Sequence, residues 1–202
     1  MTAIPVTVPP LARAAESARR RPVGWWGMVL LIATEATIFA SLLASYFFIR
    51  AISPEWPLAG IEAPKLDRIS VFTVVLLASS LPLIAAERAI MRGRVDRVRW
   101  LLALSFVMGL AFLIHQGIEY LDLHFGIHDN AYGSLFYVIT GLHGLHVLIG
   151  LLMSLVVQAK AAVGRITAER HETLRIFSLY WHFVDVVWIF VFSSLYLSPH
   201  IA

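Results

Sequence analysis

Five long apolar segments divide the sequence, each long enough to cross a membrane as a helix. The predicted helices run over about 23–49, 69–91, 98–120, 131–160 and 174–198, and their apolar cores contain no Lys or Arg. About 20 residues at 1.5 Å each cover a hydrocarbon layer roughly 30 Å thick. The segments do not alternate polar and apolar residues as membrane-spanning strands would. The pattern predicts an all-α, polytopic membrane protein built as a bundle of five transmembrane helices.

The composition agrees with this prediction. Apolar residues make up 59% of the 202 residues and charged residues only 14%, whereas a soluble domain is about a quarter charged. The pI near 9.5 does not indicate a nucleic-acid partner, because the basic residues lie in short clusters between the apolar segments. Since the chain contains no cysteine, it has no disulfides, thiolate metal sites or thiol nucleophiles.

The distribution of basic residues predicts the orientation of the bundle. Thirteen of the 16 Lys and Arg residues fall before the first segment, between the second and third, or between the fourth and fifth. The positive-inside rule places these regions in the cytoplasm and the C-terminus outside. We interpret 1–22, which include Arg13, Arg19, Arg20 and Arg21, as a cytoplasmic tail and 23–202 as one transmembrane domain. A mitochondrial presequence is disfavoured by Glu16 and the prolines.

Small residues and one proline predict how the helices pack. Close backbone approach between membrane helices depends on small side chains. Such faces are expected at Ala36, Ala40 and Ala44 in the first helix and at Gly141 and Gly144 in the fourth. Pro82 should kink the second helix, because its ring removes a backbone donor and clashes with the preceding turn.

Seven ionisable residues in or beside the apolar cores of these helices are candidates for polar contacts, because such residues are costly in the membrane and usually face the bundle interior. Glu35 lies roughly 18 Å into the first helix, so we expect it to be protonated or hydrogen-bonded to another helix. His146 reaches a similar level from the opposite surface and is the expected partner, with His143 as second choice. The complete set is Glu35, His115, Glu119, His143, His146, His182 and Asp185.

Helical spacing groups these residues into pairs. His143 and His146, His182 and Asp185, and His115 and Glu119 each share one helix face, the last pair towards the outer surface. A metal site is one interpretation, but His-x-x-His is a weaker signal than the i, i+4 pair of known zinc helices. The spacing favours an interhelical hydrogen-bond network and leaves a proton-conducting role for Glu35 open.

Four sequence motifs, each in a separate segment, resemble subunit III of haem–copper terminal oxidases. The last helix contains SLYWHFVDVVWIFVF over 178–192, and the fourth contains GLHGLHV over 141–147. The third contains QGIEY over 116–120, and the first contains TEATIF over 34–39 followed by YFF over 46–48. The resemblance covers about 23–197, and the chain resembles the short, five-helix bacterial form of this family.

This resemblance implies a non-catalytic subunit of a respiratory complex that reduces oxygen and pumps protons. It implies a place in the bacterial inner cell membrane beside oxidase subunit I, the main contact, and subunit II. Haem and copper would be held by those partner subunits, with no cofactor or metal in this chain. The family supports proton uptake, protects against turnover inactivation and holds phospholipids in a cleft. A larger respiratory supercomplex stays open, and no nucleic acid is implied.

The resemblance also assigns candidate roles to residues. Glu35 matches the buried acidic position of the family, and the six other ionisable residues match its remaining polar signature positions. Basic pockets between helices favour anionic lipid head groups, and indole rings anchor helix ends at head-group depth. The lipid-binding candidates are therefore Arg88, Arg97, Arg99, Trp25, Trp26 and Trp100.

The sequence leaves three alternatives to a cytochrome c oxidase subunit. Quinol oxidases share this subunit but often have aspartate at the position of Glu35, which favours cytochrome c as the electron donor. An accessory subunit of a nitric oxide reductase is a second alternative. A small proton-coupled transporter is the most remote, because such folds show internal repeats and broken helices at mid-membrane that the sequence lacks.

Overall fold

The computed structural model describes residues 22–201, and within this range it contains helices and no strands. Five helices are long and apolar enough to cross a membrane: Val23–Ile52, Asp67–Met91, Val95–Asp122, Ala131–Ala162 and Glu172–His200. We refer to them as the first to fifth spans. The predicted five-helix fold is therefore confirmed. The predicted tail, including its four arginines, lies outside the described residues apart from Pro22, and the orientation of the termini stays a prediction.

The second span is interrupted near its middle. It consists of two helices, Asp67–Ala78 and Ser80–Met91, separated by a turn at Ser79. Pro82 explains where the second span is interrupted, because proline has no N–H to donate to the carbonyl of Ala78 one turn earlier. The Ser79 hydroxyl accepts a hydrogen bond of 2.8 Å from Trp181 Nε1 of the fifth span. The distortion that Pro82 predicts is present as this interruption.

The fifth span changes its winding towards the C-terminus. Its α-helix, Glu172–Val191, continues into a π-helical segment, Phe192–Leu197, and a short 3-10 turn, Ser198–His200. Arg50, in the last turn of the first span, donates hydrogen bonds to the hydroxyl and the carbonyl of Ser198. The first and fifth spans are thereby tied together at the C-terminal end.

Two tryptophans of the fifth span form the centre of the bundle. The Trp181 ring lies between the third and fourth spans, where a Cβ added at Gly109 or at Gly150 would approach it to 2.6 Å. Trp188 donates a 3.0 Å hydrogen bond to the Thr73 hydroxyl in the second span. Among the described residues, the closest glycine contacts between spans are therefore at Gly109 and Gly150 and not at the predicted Gly141 and Gly144. At Gly141 and Gly144 no atom comes nearer than 3.4 Å to an added Cβ, because the wide indole ring fits elsewhere.

The first span lies at the edge of the bundle. Only Phe39 and Tyr46 of this helix are buried, whereas Ala36, Ala40 and Ala44 are exposed. The prediction that these alanines form a packing face is therefore wrong for the described part of this chain. The hydroxyl groups on the exposed surface each donate to a backbone carbonyl of their own helix at 2.7 to 2.9 Å; they belong to Thr34, Thr37, Ser41 and Ser45.

Candidate functional site

Glu35 of the first span contacts His146 of the fourth, as their expected depths predict. Glu35 Oε2 lies 3.1 Å from His146 Nε2, and the two side chains are 23% and 7% exposed. Tyr180 of the fifth span donates a 3.1 Å hydrogen bond to the His146 carbonyl, and Phe39 packs edge-on against the imidazole ring. The pair therefore joins three spans within the apolar part of the bundle.

The hydrogen bonds around His146 fix the total charge of the pair. His146 Nδ1 lies 2.7 Å from the carbonyl oxygen of Leu142, which can only accept, so Nδ1 carries a proton. The contact between Nε2 and Oε2 then contains one further proton, bound either to the carboxyl group or to the ring. Both arrangements are neutral overall, as neutral partners or as an ion pair. Glu35 and His146 can thus share a proton without placing net charge among the helices.

His182 and Asp185 meet a third residue that the sequence analysis did not single out. The Ser80 hydroxyl lies 2.8 Å from His182 Nδ1 and also donates to Asp185 Oδ2. His182 Nε2 lies 3.3 Å from the Ser178 hydroxyl one turn earlier. Asp185 is buried, and its Oδ1 has no hydrogen-bond partner among the described residues. These four residues form the Ser80 cluster, which joins the second half of the second span to the fifth span.

His115 and Glu119 lie at the opposite end of the bundle and do not bond to each other. The His115 ring stacks on Phe72 with centroids 4.0 Å apart, and its buried Nδ1 has no partner in the described range. Glu119 accepts a 3.1 Å hydrogen bond from the hydroxyl of Tyr196, which the π-helical segment carries. Both residues line an open pocket of about 1140 Å³ that the loops at 60–65 and 123–125 border. They form a separate polar region.

Glu35 does not form a hydrogen bond with His143, its second candidate partner. The imidazole ring is fully buried and packs against Trp188 and Phe112, with centroids 4.6 and 5.9 Å away. Neither ring nitrogen has a hydrogen-bond partner among residues 22–201. The structure therefore places His143 in the aromatic centre of the bundle.

The lipid-binding candidates lie on the surface near the arginine-rich end of the bundle. Trp26 and Trp100 are 55% and 79% exposed, and Trp25 packs edge-on against Trp26. Arg99 and Trp100 border a groove between the third and fourth spans whose walls are largely apolar. Its other lining residues are Asp96, Ala103, Leu155, Gln158, Ala159 and Ala162. Arg88 and Arg97 are exposed and do not line this groove. A lipid-binding role for all six residues stays a prediction.

Within the described residues, no group of three or more His, Cys, Asp or Glu side chains is arranged to hold a metal ion. The ionisable residues instead divide into the Glu35–His146 pair, the Ser80 cluster, the outer pocket and the isolated His143. Sequence reasoning found seven of the participants but missed Ser80, Ser178 and Tyr196. Serine and tyrosine are unremarkable in such helices, and only the interruption expected from Pro82 pointed to the region of Ser80.

Comparison with known proteins gives a consistent result. Residues 20–199 match the family model for cytochrome c oxidase subunit III. A cytochrome c oxidase subunit 3 from Thermostichus vulcanus is 36% identical over 172 residues, covering 85% of each chain. The corresponding protein from Synechocystis sp. is 36% identical over 85% of this chain and 74% of its own length. That of Oncorhynchus mykiss is 38% identical over 85% of this chain and 68% of its own.

Proposed function

The chain belongs to the cytochrome c oxidase subunit III family, and on that premise we propose that it is a non-catalytic subunit of an aerobic respiratory oxidase. It lies in the bacterial inner cell membrane beside subunits I and II, which hold the haem and copper and carry out oxygen reduction. It supports proton uptake and prolongs the working life of the complex. Because the relatives compared above are named cytochrome c oxidase subunits, cytochrome c is favoured over quinol as the electron donor.

The Glu35–His146 pair carries this proposal. An ionisable pair among apolar helices costs free energy and is usually retained for a function. Since the pair shares a proton at no net charge, it can respond to a proton moving nearby without leaving an isolated charge in the membrane. Glu35 is also the more exposed partner and belongs to the edge span, so its carboxyl group lies close to where a neighbouring subunit or lipid would pack.

Bound phospholipid is the second part of the proposal. The groove beside Arg99 and Trp100 has apolar walls for an acyl chain and a cationic group at one end for a phosphate. Asp96 at the same end limits how strongly an anionic head group is attracted. We therefore assign lipid binding to the groove as a unit rather than to any single arginine.

Replacement of Glu35 in the native complex tests the function. We expect Glu35→Ala to leave oxygen reduction measurable at first but to reduce the number of turnovers before inactivation, because the reaction takes place in subunit I. Glu35→Gln retains the side-chain volume and a donor for His146 but carries no transferable proton, so it should show the same loss. The assay is oxygen consumption over time by the purified complex.

Ser41→Ala is the matched control, because Ser41 is exposed on the same span and bonds only to its own helix. An immediate and complete loss of activity in an assembled, haem-replete Glu35→Ala complex would contradict a supporting role. A Glu35→Gln complex with the lifetime of the wild type would show that the hydrogen bond, and not the shared proton, is what matters.

A further inference from the structure

The Ser80 cluster has a defined hydrogen-bond direction. A serine hydroxyl has one proton, and Ser80 donates it to Asp185 Oδ2. The contact between Ser80 and His182 Nδ1 must then be donated by the ring, so Nδ1 carries a proton. With the imidazole neutral, Nε2 is free to accept from the Ser178 hydroxyl. All three hydrogen bonds therefore point from Ser178 towards Asp185.

A chain of this kind can carry a proton without moving any heavy atom far. When a proton reaches His182 Nε2, the ring releases its Nδ1 proton to Ser80, and Ser80 passes its own proton to Asp185. His182 ends neutral in its other tautomer, Ser80 ends neutral, and the carboxylate becomes a carboxylic acid. One proton enters and one is bound, so the step balances. Each intermediate group can both donate and accept, which proton transfer through a hydrogen-bonded chain requires.

The surroundings give the chain an entrance and an end. Ser178, His182 and Asp185 lie on one face of the fifth span, one turn or less apart, with Ser178 nearest the arginine-rich end. His182 is only half-buried. Glu87, two turns after Ser80 along the second span, is close enough to His182 to interact with it electrostatically. Asp185 is deeper and buried. A proton entering near Glu87 would thus travel inwards.

We propose that Ser178, His182, Ser80 and Asp185 form a proton relay that loads the buried Asp185 carboxyl group from the arginine-rich end of the bundle. Ser80, the first residue of the second half of the second span, lies between His182 and Asp185. The relay rests on the proposed function only in assuming that the chain works within an oxidase complex. It shares none of its four residues with the Glu35–His146 pair.

Infrared spectroscopy of the native complex tests the relay. At a pH low enough for the relay to have loaded Asp185, the carbonyl stretching band of the protonated carboxyl group is assigned as the band that Asp185→Asn removes, and its shift after transfer to heavy water reports proton exchange. Ser80→Ala should slow this exchange by on the order of 100-fold, at the lower end of what a positioned proton carrier contributes. Ser80→Thr, which restores the hydroxyl, should exchange at the wild-type rate. His182→Phe, which keeps a ring but removes both nitrogens, is a second way to break the chain.

Ser79→Ala is the matched control, since it removes the neighbouring hydroxyl, bonded to Trp181, and should leave exchange unchanged. Wild-type exchange in Ser80→Ala, equally slow exchange in Ser80→Thr, or no band removed by Asp185→Asn would each overturn the proposal. The turnover lifetime of Glu35→Ala is a separate measurement at a separate site. Failure of the proposed function and failure of the relay are therefore distinguishable.

Discussion

Gly109→Ala should destabilise this chain, although alanine is the better helix former. The added Cβ would lie 2.6 Å from Trp181 Cη2 and 2.7 Å from Cζ2. The indole ring cannot easily move away. Its opposite edge, at Cζ3 and Cε3, already lies 2.6 and 2.7 Å from where a Cβ of Gly150 would be, and its Nε1 is hydrogen-bonded to Ser79. The ring occupies a slot that two glycines of different spans leave open.

The expected change in stability follows from one stabilising and two destabilising contributions. Replacing glycine by alanine in a helix gains about 1 kcal/mol. Forcing an extra methyl group into a packed site costs about 1–3 kcal/mol, and weakening the Trp181–Ser79 hydrogen bond costs about 0.5–1.5 kcal/mol more. The expected net loss is about 2 kcal/mol. Gly150→Ala should behave similarly, and the double variant should lose at least the sum, because a ring displacement away from one methyl group moves the opposite edge towards the other.

Thermal release of the chain from the purified complex, followed by size-exclusion chromatography, measures this loss. Gly117→Ala is the control in the same span, because an added Cβ there meets no atom within 4 Å and should be neutral or stabilising. The melting temperature of Gly109→Ala should fall below that of both the wild type and Gly117→Ala. Equal melting temperatures for the two alanine variants would refute the argument that Trp181 is fixed in its slot.

Two further predictions concern the second span and the lipid groove. Thr73→Val keeps the side-chain shape but leaves the buried Trp188 N–H unpaired, so it should cost about 1–3 kcal/mol in the same thermal assay, whereas Thr73→Ser should cost less. Arg99→Gln should reduce the phospholipid retained by the purified complex, as measured by mass spectrometry, and Arg97→Gln should not, because Arg97 does not line the groove. Equal retention in both variants would count against the groove.

Three features could be predicted because each follows from the position of residues along the chain. They are the spans, the interruption of the second span and the Glu35–His146 contact. Apolar length determines which segments cross the membrane, and depth counted from each end places Glu35 opposite His146. Pro82 disrupts the helical turn in which it lies, so the place of the interruption follows from its position in the sequence. The Glu35–His146 contact also requires both side chains to face the bundle interior, which is expected because ionisable groups are costly against lipid.

Side-chain partners that depend on helix rotation could not be predicted. Gly109 and Gly150 are no different in sequence from Gly141 and Gly144, yet only the first two face the indole ring. The alanines of the first span face outwards because Phe39 and Tyr46 occupy the inward side. Ser80 meets His182 and Asp185 because it lies on the side of the second span that packs against the fifth. In each case tertiary packing selects among residues that the sequence leaves equivalent.

The hydroxyl groups of the first span bear on how the complex is put together. All four donate to carbonyls of their own helix, so none of these hydroxyl groups presents an unsatisfied donor to lipid. The newly inserted subunit can therefore remain in the bilayer before a partner covers this surface. When a neighbouring helix arrives, it meets small side chains and has no hydrogen bonds to break. Assembly at this surface can follow membrane insertion as a separate, later step.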